Sequence, residues 1–196
     1  MSEKFFDVYI DFGSSKIIAT AFNKKNKKSF SVSSKCFSSF KSTQLNFKDS
    51  KIVLEKLILE IEKKTGEYLN SINLMIDSPE VLSIGVSLSK KNDGKKIRKS
   101  DIQYLIQDAK QQVIKFHPNK NIIHIIASNY KVDNNNFDYP PIDVECNFFV
   151  IDIIFICYPK ELIKNLESLF YENQININQV LSSSYAKSLN CKEQYI

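Results

Sequence analysis

Residues 8–20, with the sequence VYIDFGSSKIIAT, carry the side chains of this chain that are best suited to chemistry. One apolar run leads into an acid, a turn of small residues follows, and a lysine opens a second apolar run. Small turn residues let backbone N–H groups approach phosphate oxygens closely, and a lysine adds a compact positive charge. A carboxylate before the turn can hold a hydrated Mg²⁺. The pattern predicts a phosphate-binding hairpin, with an ordinary tight hairpin as the alternative, and its site residues are Asp11, Gly13, Ser14, Ser15 and Lys16.

The cysteines and histidines form no second reactive set. The four cysteines are far apart and include no CxxC pair, so we expect reduced, mostly buried thiols. His117 precedes Pro118 at a predicted helix end, and His124 lies in an apolar strand. Neither histidine has Cys or carboxylate partners at ligand spacing, so both are predicted to be structural and not metal ligands.

Composition excludes several classes of protein. The chain is 43% hydrophobic and 25% charged, which favours a globular fold over disorder. Of 27 basic residues only Arg98 is an arginine, whereas a phosphate-binding face favours arginine forks, so no nucleic-acid partner is expected. We expect no signal peptide and no transmembrane segment, because the longest apolar run, residues 148–158, is too short to span a bilayer. A cytoplasmic location follows.

Hydrophobic periodicity organises the first part of the chain. Residues 6–11 and 16–22 are predicted to pair as a hairpin, and residues 29–37 fit a third strand after a lysine-rich turn. Asp49 and Ser50 are predicted to cap a helix over residues 51–65 that Gly66 ends. Residues 72–76 form the next strand. The helix is expected to bury the stripe Ile52, Leu54, Leu57, Ile58 and Ile61.

A second unit is predicted near Pro79. Residues 81–89 alternate as a strand, and a charged loop leads to a helix that starts at Ser100 with Gln103 completing a capping box. Long strands over residues 121–132 and 144–157 follow, separated by a polar loop. The order is strand–helix–strand–strand. The helix is expected to bury Ile102, Leu105, Ile106, Ala109, Val113 and Ile114.

The last elements return to the first unit. Pro159 suits the first turn of a helix that runs to about Glu172, and a strand and a short helix follow over residues 175–181 and 182–189. The predicted fold class is α/β or α+β in two lobes. The helix after Pro159 is expected to bury Leu162, Ile163, Leu166, Leu169 and Phe170.

The hairpin and the order of elements together resemble the FtsA family of bacterial cell-division proteins, in the actin/Hsp70 ATPase superfamily. VYIDFGSSKIIA resembles the first phosphate motif of that superfamily, and SKKNDGKKIRKSDIQYLIQDAKQQV resembles the loop and helix of the subdomain inserted in FtsA. IIHIIASNYKVD, FFVIDIIFICYPKELIKNLESLF and ININQVLSSSYAKSL are similar to the segments that follow. The resemblance covers essentially the whole chain. It implies an incomplete actin-like nucleotide-binding subdomain over residues 1–79 and 159–196, with the inserted strand–helix–strand–strand subdomain over residues 80–158.

The resemblance also implies the ligand and the partners. ATP with Mg²⁺ would bind with Asp11 facing the metal through water, Gly13, Ser14 and Ser15 offering N–H groups and hydroxyls to the β- and γ-phosphates, and Lys16 nearby. The inserted subdomain would serve self-association and contact with divisome proteins at septum assembly. FtsZ would bind only where a C-terminal lobe exists. Through its partners the chain would lie at the cytoplasmic face of the inner membrane at the division site.

We expect a departure from the family where a second phosphate hairpin would follow, since the sequence ends at Ile196. One phosphate hairpin without an opposing clamp is expected to bind ATP poorly and not to hydrolyse it, because catalysis of phosphoryl transfer needs electrostatic stabilisation around the transferring group. We therefore expect no enzyme, or at most a vestigial ATPase. Two alternatives stay open: a stand-alone interaction module that has lost nucleotide binding, and a relative of the actin-like ATPases of pilus assembly.

Overall fold

The computed structural model describes residues 5–13, 15–35 and 47–193, which form two compact units. The first unit is drawn from Met1–Glu80 and Glu161–Ile196, and the second is Val81–Lys160. These boundaries lie within two residues of those given above for the inserted subdomain. The elements in chain order are β1 (Phe6–Gly13), β2 (Lys16–Asn23), β3 (Ser29–Lys35), α1 (Phe47–Thr65), β4 (Ser71–Asp77), β5 (Leu82–Lys91), α2 (Lys99–Phe116), β6 (Lys120–Val132), β7 (Asn135–Phe137), β8 (Phe148–Pro159), α3 (Lys160–Glu172), β9 (Asn176–Ser182) and α4 (Ser183–Glu193).

The first unit is built on a five-stranded sheet in the order β3-β2-β1-β4-β9. β1, β2 and β3 pair antiparallel, as the hairpin pattern predicted, while β4 and β9 run parallel to β1. Val8, Ile10 and Phe12 of β1 are buried, so the alternate residues Asp11 and Gly13 lie on the other face of the strand. The predicted third strand is confirmed to Lys35, and residues 36 and 37 lie outside the described residues.

Helix α1 packs on β2 and β3 through Leu54, Leu57, Ile58 and Ile61, all of which are buried. The predicted start of this helix is wrong, because α1 begins at Phe47 and therefore includes Asp49 and Ser50. Ile52 is also wrongly placed in the stripe, since 71% of its surface is exposed. Gly66 ends the helix as predicted, with a φ of +71° that glycine adopts without steric cost.

Helix α3 buries the five apolar residues expected of it: Leu162, Ile163, Leu166, Leu169 and Phe170. Pro159 is the last residue of β8 and not part of the first turn of this helix. β9 follows, and α4 starts at the next residue after it and packs on β4 and β9. The predicted strand and terminal helix are thus confirmed, and α4 extends to Glu193.

The second unit is a four-stranded antiparallel sheet in the order β5-β8-β6-β7, with α2 packed on β5 and β8. Its core includes Phe149, Ile151, Ile153 and Phe155 from one face of β8, because successive side chains of a strand point to opposite faces. The same core contains Ile102, Leu105, Ala109 and Val113 of α2, as predicted. Ile114 is 41% exposed, so that residue is wrongly assigned to the stripe.

The N-terminal cap of α2 differs from the predicted one. Arg98 is the N-cap residue, and its backbone N–H donates to Asp101 Oδ2 at 2.9 Å. Ser100 and Gln103 therefore lie inside the helix. Asp101 also accepts a hydrogen bond from Lys90, which, together with the Arg98 N–H, holds the pKa of this carboxyl below its ordinary value.

The short strand β7 lies within the predicted polar loop. Asp133 adopts a φ of +49° between β6 and β7, a conformation that Asp tolerates better than most residues. Its carboxylate accepts the backbone N–H of Phe148 at 2.9 Å. This contact fixes the hairpin against the start of β8, which begins four residues later than predicted.

Candidate functional site

Three parallel strands of the first unit end at one edge of its sheet, and the predicted site residues lie there. β4 pairs with β1 so that Gly13 lies beside Asp77, and with β9 so that Ile76 lies beside Ser182. Ligands of open α/β sheets bind beyond the carboxyl ends of such strands, where loops and helix N-termini converge. The edge that carries Asp11 therefore has the location expected of a binding site.

Asp11 is held by a serine from the other end of the chain. The Ser183 hydroxyl donates to Asp11 Oδ1 at 2.6 Å, and the Ser183 side chain has no exposed surface. Hydrogen bonds to a carboxylate are shorter and stronger than neutral ones, so this contact fixes the orientation of the carboxyl group. Among the described residues, none bonds to Oδ2 of Asp11, which leaves that oxygen available for a hydrated cation.

Glycine is required at position 13 because the backbone of Lys16 passes close to it. A Cβ atom placed on Gly13 would lie 3.0 Å from the carbonyl oxygen of Lys16 and 3.8 Å from Cβ of Asp77. Backbone cannot give way as a flexible side chain can, so any larger residue would shift the turn. The backbone at Gly13 is therefore packed closely against that of Lys16.

The other three predicted residues are placed less fully. Ser14 lies outside the described residues. Ser15 is exposed in the turn, and Lys16 is the exposed first residue of β2. The roles of all five residues toward a ligand stay predictions.

Three side chains at this edge were not predicted from sequence: Ser183, Asp77 and Lys187. Lys187 Nζ of α4 lies 3.3 Å from Asp77 Oδ2, and both side chains are more than half exposed. Such a pair adds little stability, but it links α4 to the end of β4. Ser183 is the first residue of α4, so the positive end of the helix dipole lies near Asp11. The sequence signal for Ser183 was the run of three serines, 182–184, at the start of the predicted last helix.

A Mg²⁺ ion brought in by a nucleotide fits this donor set. The described residues contain no cluster of three or more His, Cys, Asp or Glu side chains that could hold a metal ion by themselves. Mg²⁺ accompanying a nucleotide needs fewer ligands from the protein, usually one or two carboxylates in addition to phosphates and waters. The free oxygen of Asp11 supplies one such carboxylate.

The described residues also include a groove in the first unit and a few groups with shifted pKa values. A groove of about 610 Å³ between α3 and β9 contains none of the predicted site residues. Cys146 and Cys157 are free and buried, and burial raises the pKa of both thiols. Desolvation lowers the pKa of His124. None of the helices formed by the described residues is both long and apolar enough to cross a bilayer.

Comparison with known proteins identifies the second unit and the fold. Residues 80–156 match the family model of the SHS2 domain inserted in FtsA. No curated protein matches the chain. The solved structure of the PilM-PilN type IV pilus biogenesis complex shares its fold with a TM-score of 0.58 at 8% identity, over 92% of this chain and 48% of that one.

Two further structures are similar at lower TM-scores. The cytoplasmic domain of EpsL, an inner-membrane component of the type II secretion system of Vibrio cholerae, gives 0.40 at 9% identity, over 90% of this chain and 55% of that one. A Bacteroides thetaiotaomicron protein with an actin-like ATPase fold and unknown function gives 0.41 at 16% identity, over 92% and 53%. The chain thus spans about half the length of the solved proteins that it matches.

The chain is a mixed α+β protein with two sheets, and it shares its fold with the solved PilM-PilN complex. Residues 80–156 are FtsA-like, because they match the SHS2 domain that is inserted in FtsA.

Proposed function

We propose that this chain is a cell-division scaffold of the FtsA type that binds Mg-ATP weakly at the edge formed by β1, β4 and β9. The observation that carries the proposal is the combination of an FtsA-type SHS2 domain with an actin-like unit whose first hairpin places Asp11 and Gly13 beside the start of α4. Either feature alone is compatible with other functions. Together they favour a nucleotide-responsive protein that assembles with others.

Each residue of the edge has a distinct part in the proposed binding. Ser183 orients Asp11 so that Oδ2 can accept hydrogen bonds from water molecules around the metal ion. The turn at Gly13 offers backbone N–H groups to the phosphates, and Lys16 adds a positive charge that neither Ser14 nor Ser15 supplies. The Mg²⁺ ion, when bound with ATP, would offset the negative charge of the β- and γ-phosphates.

The 196 residues by themselves are proposed to bind nucleotide without hydrolysing it. Phosphoryl transfer is catalysed mainly by positioning and by charge stabilisation around the transferring group. The described edge supplies the carboxylates of Asp11 and Asp77 and one turn, with no opposing phosphate hairpin. We expect hydrolysis by this chain to stay at the background rate.

The SHS2 domain is proposed to make the protein contacts. It would support self-association and binding to divisome proteins on the cytoplasmic face of the inner membrane at the septum. Contact with FtsZ is proposed only for a protein that also has a C-terminal lobe. Depletion in the source organism tests this role: undivided filamentous cells are expected, and normal division would contradict it.

Nucleotide binding is tested by equilibrium titration of the chain with a fluorescent ATP analogue, with and without Mg²⁺. Saturable, Mg²⁺-dependent binding is expected, and Asp11→Ala should abolish the Mg²⁺ dependence because it removes the one carboxylate assigned to the metal. Asp138→Ala, in the other unit, is the matched control. Absence of saturable binding by the unmodified chain would favour a stand-alone interaction module that has lost nucleotide binding.

A role in pilus assembly is the second candidate, favoured by the fold shared with the PilM-PilN complex. Depletion distinguishes the two roles. Loss of surface pili with normal division would support the pilus role, and a division defect with normal pili would support the scaffold role.

A further inference from the structure

Two lysines lie directly opposite each other at the sheet edge that carries Asp11. Lys16 is the first residue of β2 and Lys35 is the last residue of β3, and the antiparallel register pairs one with the other. Like charges that are directly opposed across strands destabilise a sheet. Among the strands that the structure describes, this is the one directly opposed pair in which both residues are charged.

Both lysines lie on the face of the sheet that carries the proposed site. Ile17 of β2 is buried and lies opposite a buried residue of β1. Because successive residues of a strand point to opposite faces, the adjoining Lys16 lies on the other face, together with Asp11 and Gly13. Lys35 shares this face, since directly opposed residues point to the same side.

Neither lysine of this pair has a partner of opposite charge. Both side chains are exposed, and no carboxylate of the described residues forms an ion pair with either. By contrast, Lys24, which directly follows the other end of β2, has its Nζ 2.9 Å from Asp7 Oδ1. The hairpin thus neutralises a lysine far from the proposed site and leaves two opposed lysines beside it. An anion bound between those two would remove their repulsion.

We propose that Lys35 is a second phosphate-binding lysine of this site and that, together with Lys16, it binds the phosphate chain of the nucleotide. This inference rests on the Mg-ATP binding proposed above. Lys35 lies two strands away from Gly13, roughly 10 Å, since neighbouring strands lie about 4.8 Å apart. A ligand that contacts the turn and both lysines carries its negative charge over more than one phosphate. The ligand class that fits is therefore a nucleoside polyphosphate.

Equilibrium titration with the fluorescent ATP analogue and Mg²⁺ tests the contact. Lys35→Met should raise the dissociation constant about three- to tenfold, because one of two positive charges beside the phosphates is lost. Lys35→Arg keeps the charge and should stay within about twofold. Lys28→Met is the matched control, because Lys28 is exposed and directly precedes the opposite end of β3. A loss of equal size in Lys28→Met would overturn a specific contact by Lys35.

Competition by inorganic tripolyphosphate tests which part of the nucleotide Lys35 binds. Tripolyphosphate has neither base nor sugar, so its ability to displace the analogue should fall in Lys35→Met by the same factor as the affinity for ATP. Failure of tripolyphosphate to displace the analogue from the unmodified chain, or a loss confined to ATP, would overturn recognition of the phosphate chain.

A stability measurement separates ligand binding from a structural role of Lys35. Lys35→Met removes a contact between like charges, so the urea midpoint of the first unit, without ligand and at low salt, should be unchanged or higher. A lower midpoint, or unaltered affinity for the analogue in Lys35→Met, would overturn the role of Lys35 and leave the Mg-ATP site itself in place. Absence of saturable binding by the unmodified chain would overturn both.

Discussion

The hydrogen bond between Ser183 and Asp11 predicts a specific pattern of stability in a double-mutant cycle. Asp11→Ala removes the acceptor of a hydroxyl that has no exposed surface, and such a group costs about 1–3 kcal/mol when left unsatisfied. Ser183→Ala leaves a half-buried carboxylate that water can reach, so we expect a smaller loss of about 1 kcal/mol. The double variant leaves neither group unpaired. Its cost should fall short of the sum by about 1–2 kcal/mol.

The assay must follow the first unit separately, since a protein with two compact units need not unfold in one transition. Urea titrations monitored by NMR amide signals of β1, β4 and β9 provide that resolution. Ser188→Ala is the matched control, because its exposed hydroxyl donates only to the backbone of Tyr185, and its effect should stay within about 0.5 kcal/mol. Costs for Asp11→Ala and Ser183→Ala that simply add would refute a direct bond between these side chains.

Two further changes test the turn and the helix cap. Gly13→Ala should weaken Mg-ATP binding in the fluorescence titration, because the methyl group meets the Lys16 carbonyl at 3.0 Å, while Gly85→Ala should not; equal affinities would contradict the tight-turn argument. Asp101→Asn should lower the free energy of unfolding of the second unit by about 0.5–1 kcal/mol at pH 7 and low salt, by loss of the Lys90 ion pair. Since the folded-state pKa of Asp101 is depressed, the wild-type advantage is fully present above the ordinary value of 3.8 and should disappear as the pH falls through the lower folded value. An advantage that persists in acid would rule out the ion pair as its source.

The sequence alone predicted the elements correctly where the local residue pattern and the observed burial agree. The β1–β2 hairpin was predicted because strand alternation on both sides of a short polar turn has one simple solution. The buried face of α3 was predicted because its five apolar residues recur at helical spacing. The strand–helix–strand–strand order of residues 80–158 was predicted from local patterns, and its identification as an inserted subdomain came from the resemblance to FtsA.

The sequence alone did not predict the start of α2 or the strand β7, because two local sequence signals compete at each place. Ser100 and Gln103 form a capping-box pattern, yet Asp101 satisfies the Arg98 N–H and starts α2 earlier. The polar composition of residues 133–142 predicted a loop, while the left-handed turn at Asp133 allows β7 to pair with β6. In both cases an aspartate at the junction, Asp101 or Asp133, favours a local structure that the compositional pattern did not predict.

Only the hairpin part of the candidate site was predictable from the sequence. Asp11 and Gly13 are close in sequence, but Ser183 is 172 residues from Asp11 and meets it only because β9 runs parallel to β4. No periodic pattern in the sequence indicates that Ser183 and Asp11 lie close together. The composition of the site beyond the hairpin therefore depends on the order of strands in the sheet.

Titration of the ¹⁵N-labelled chain with Mg-ATP, followed by NMR, tests the proposed site most directly. We expect saturable shifts of the amide signals of Gly13, Ser15, Lys16 and Ser183, which weaken when EDTA removes the metal. The signals of the groove between α3 and β9 should not move. No shift at the hairpin, or shifts confined to that groove, would contradict a nucleotide site at the end of β1.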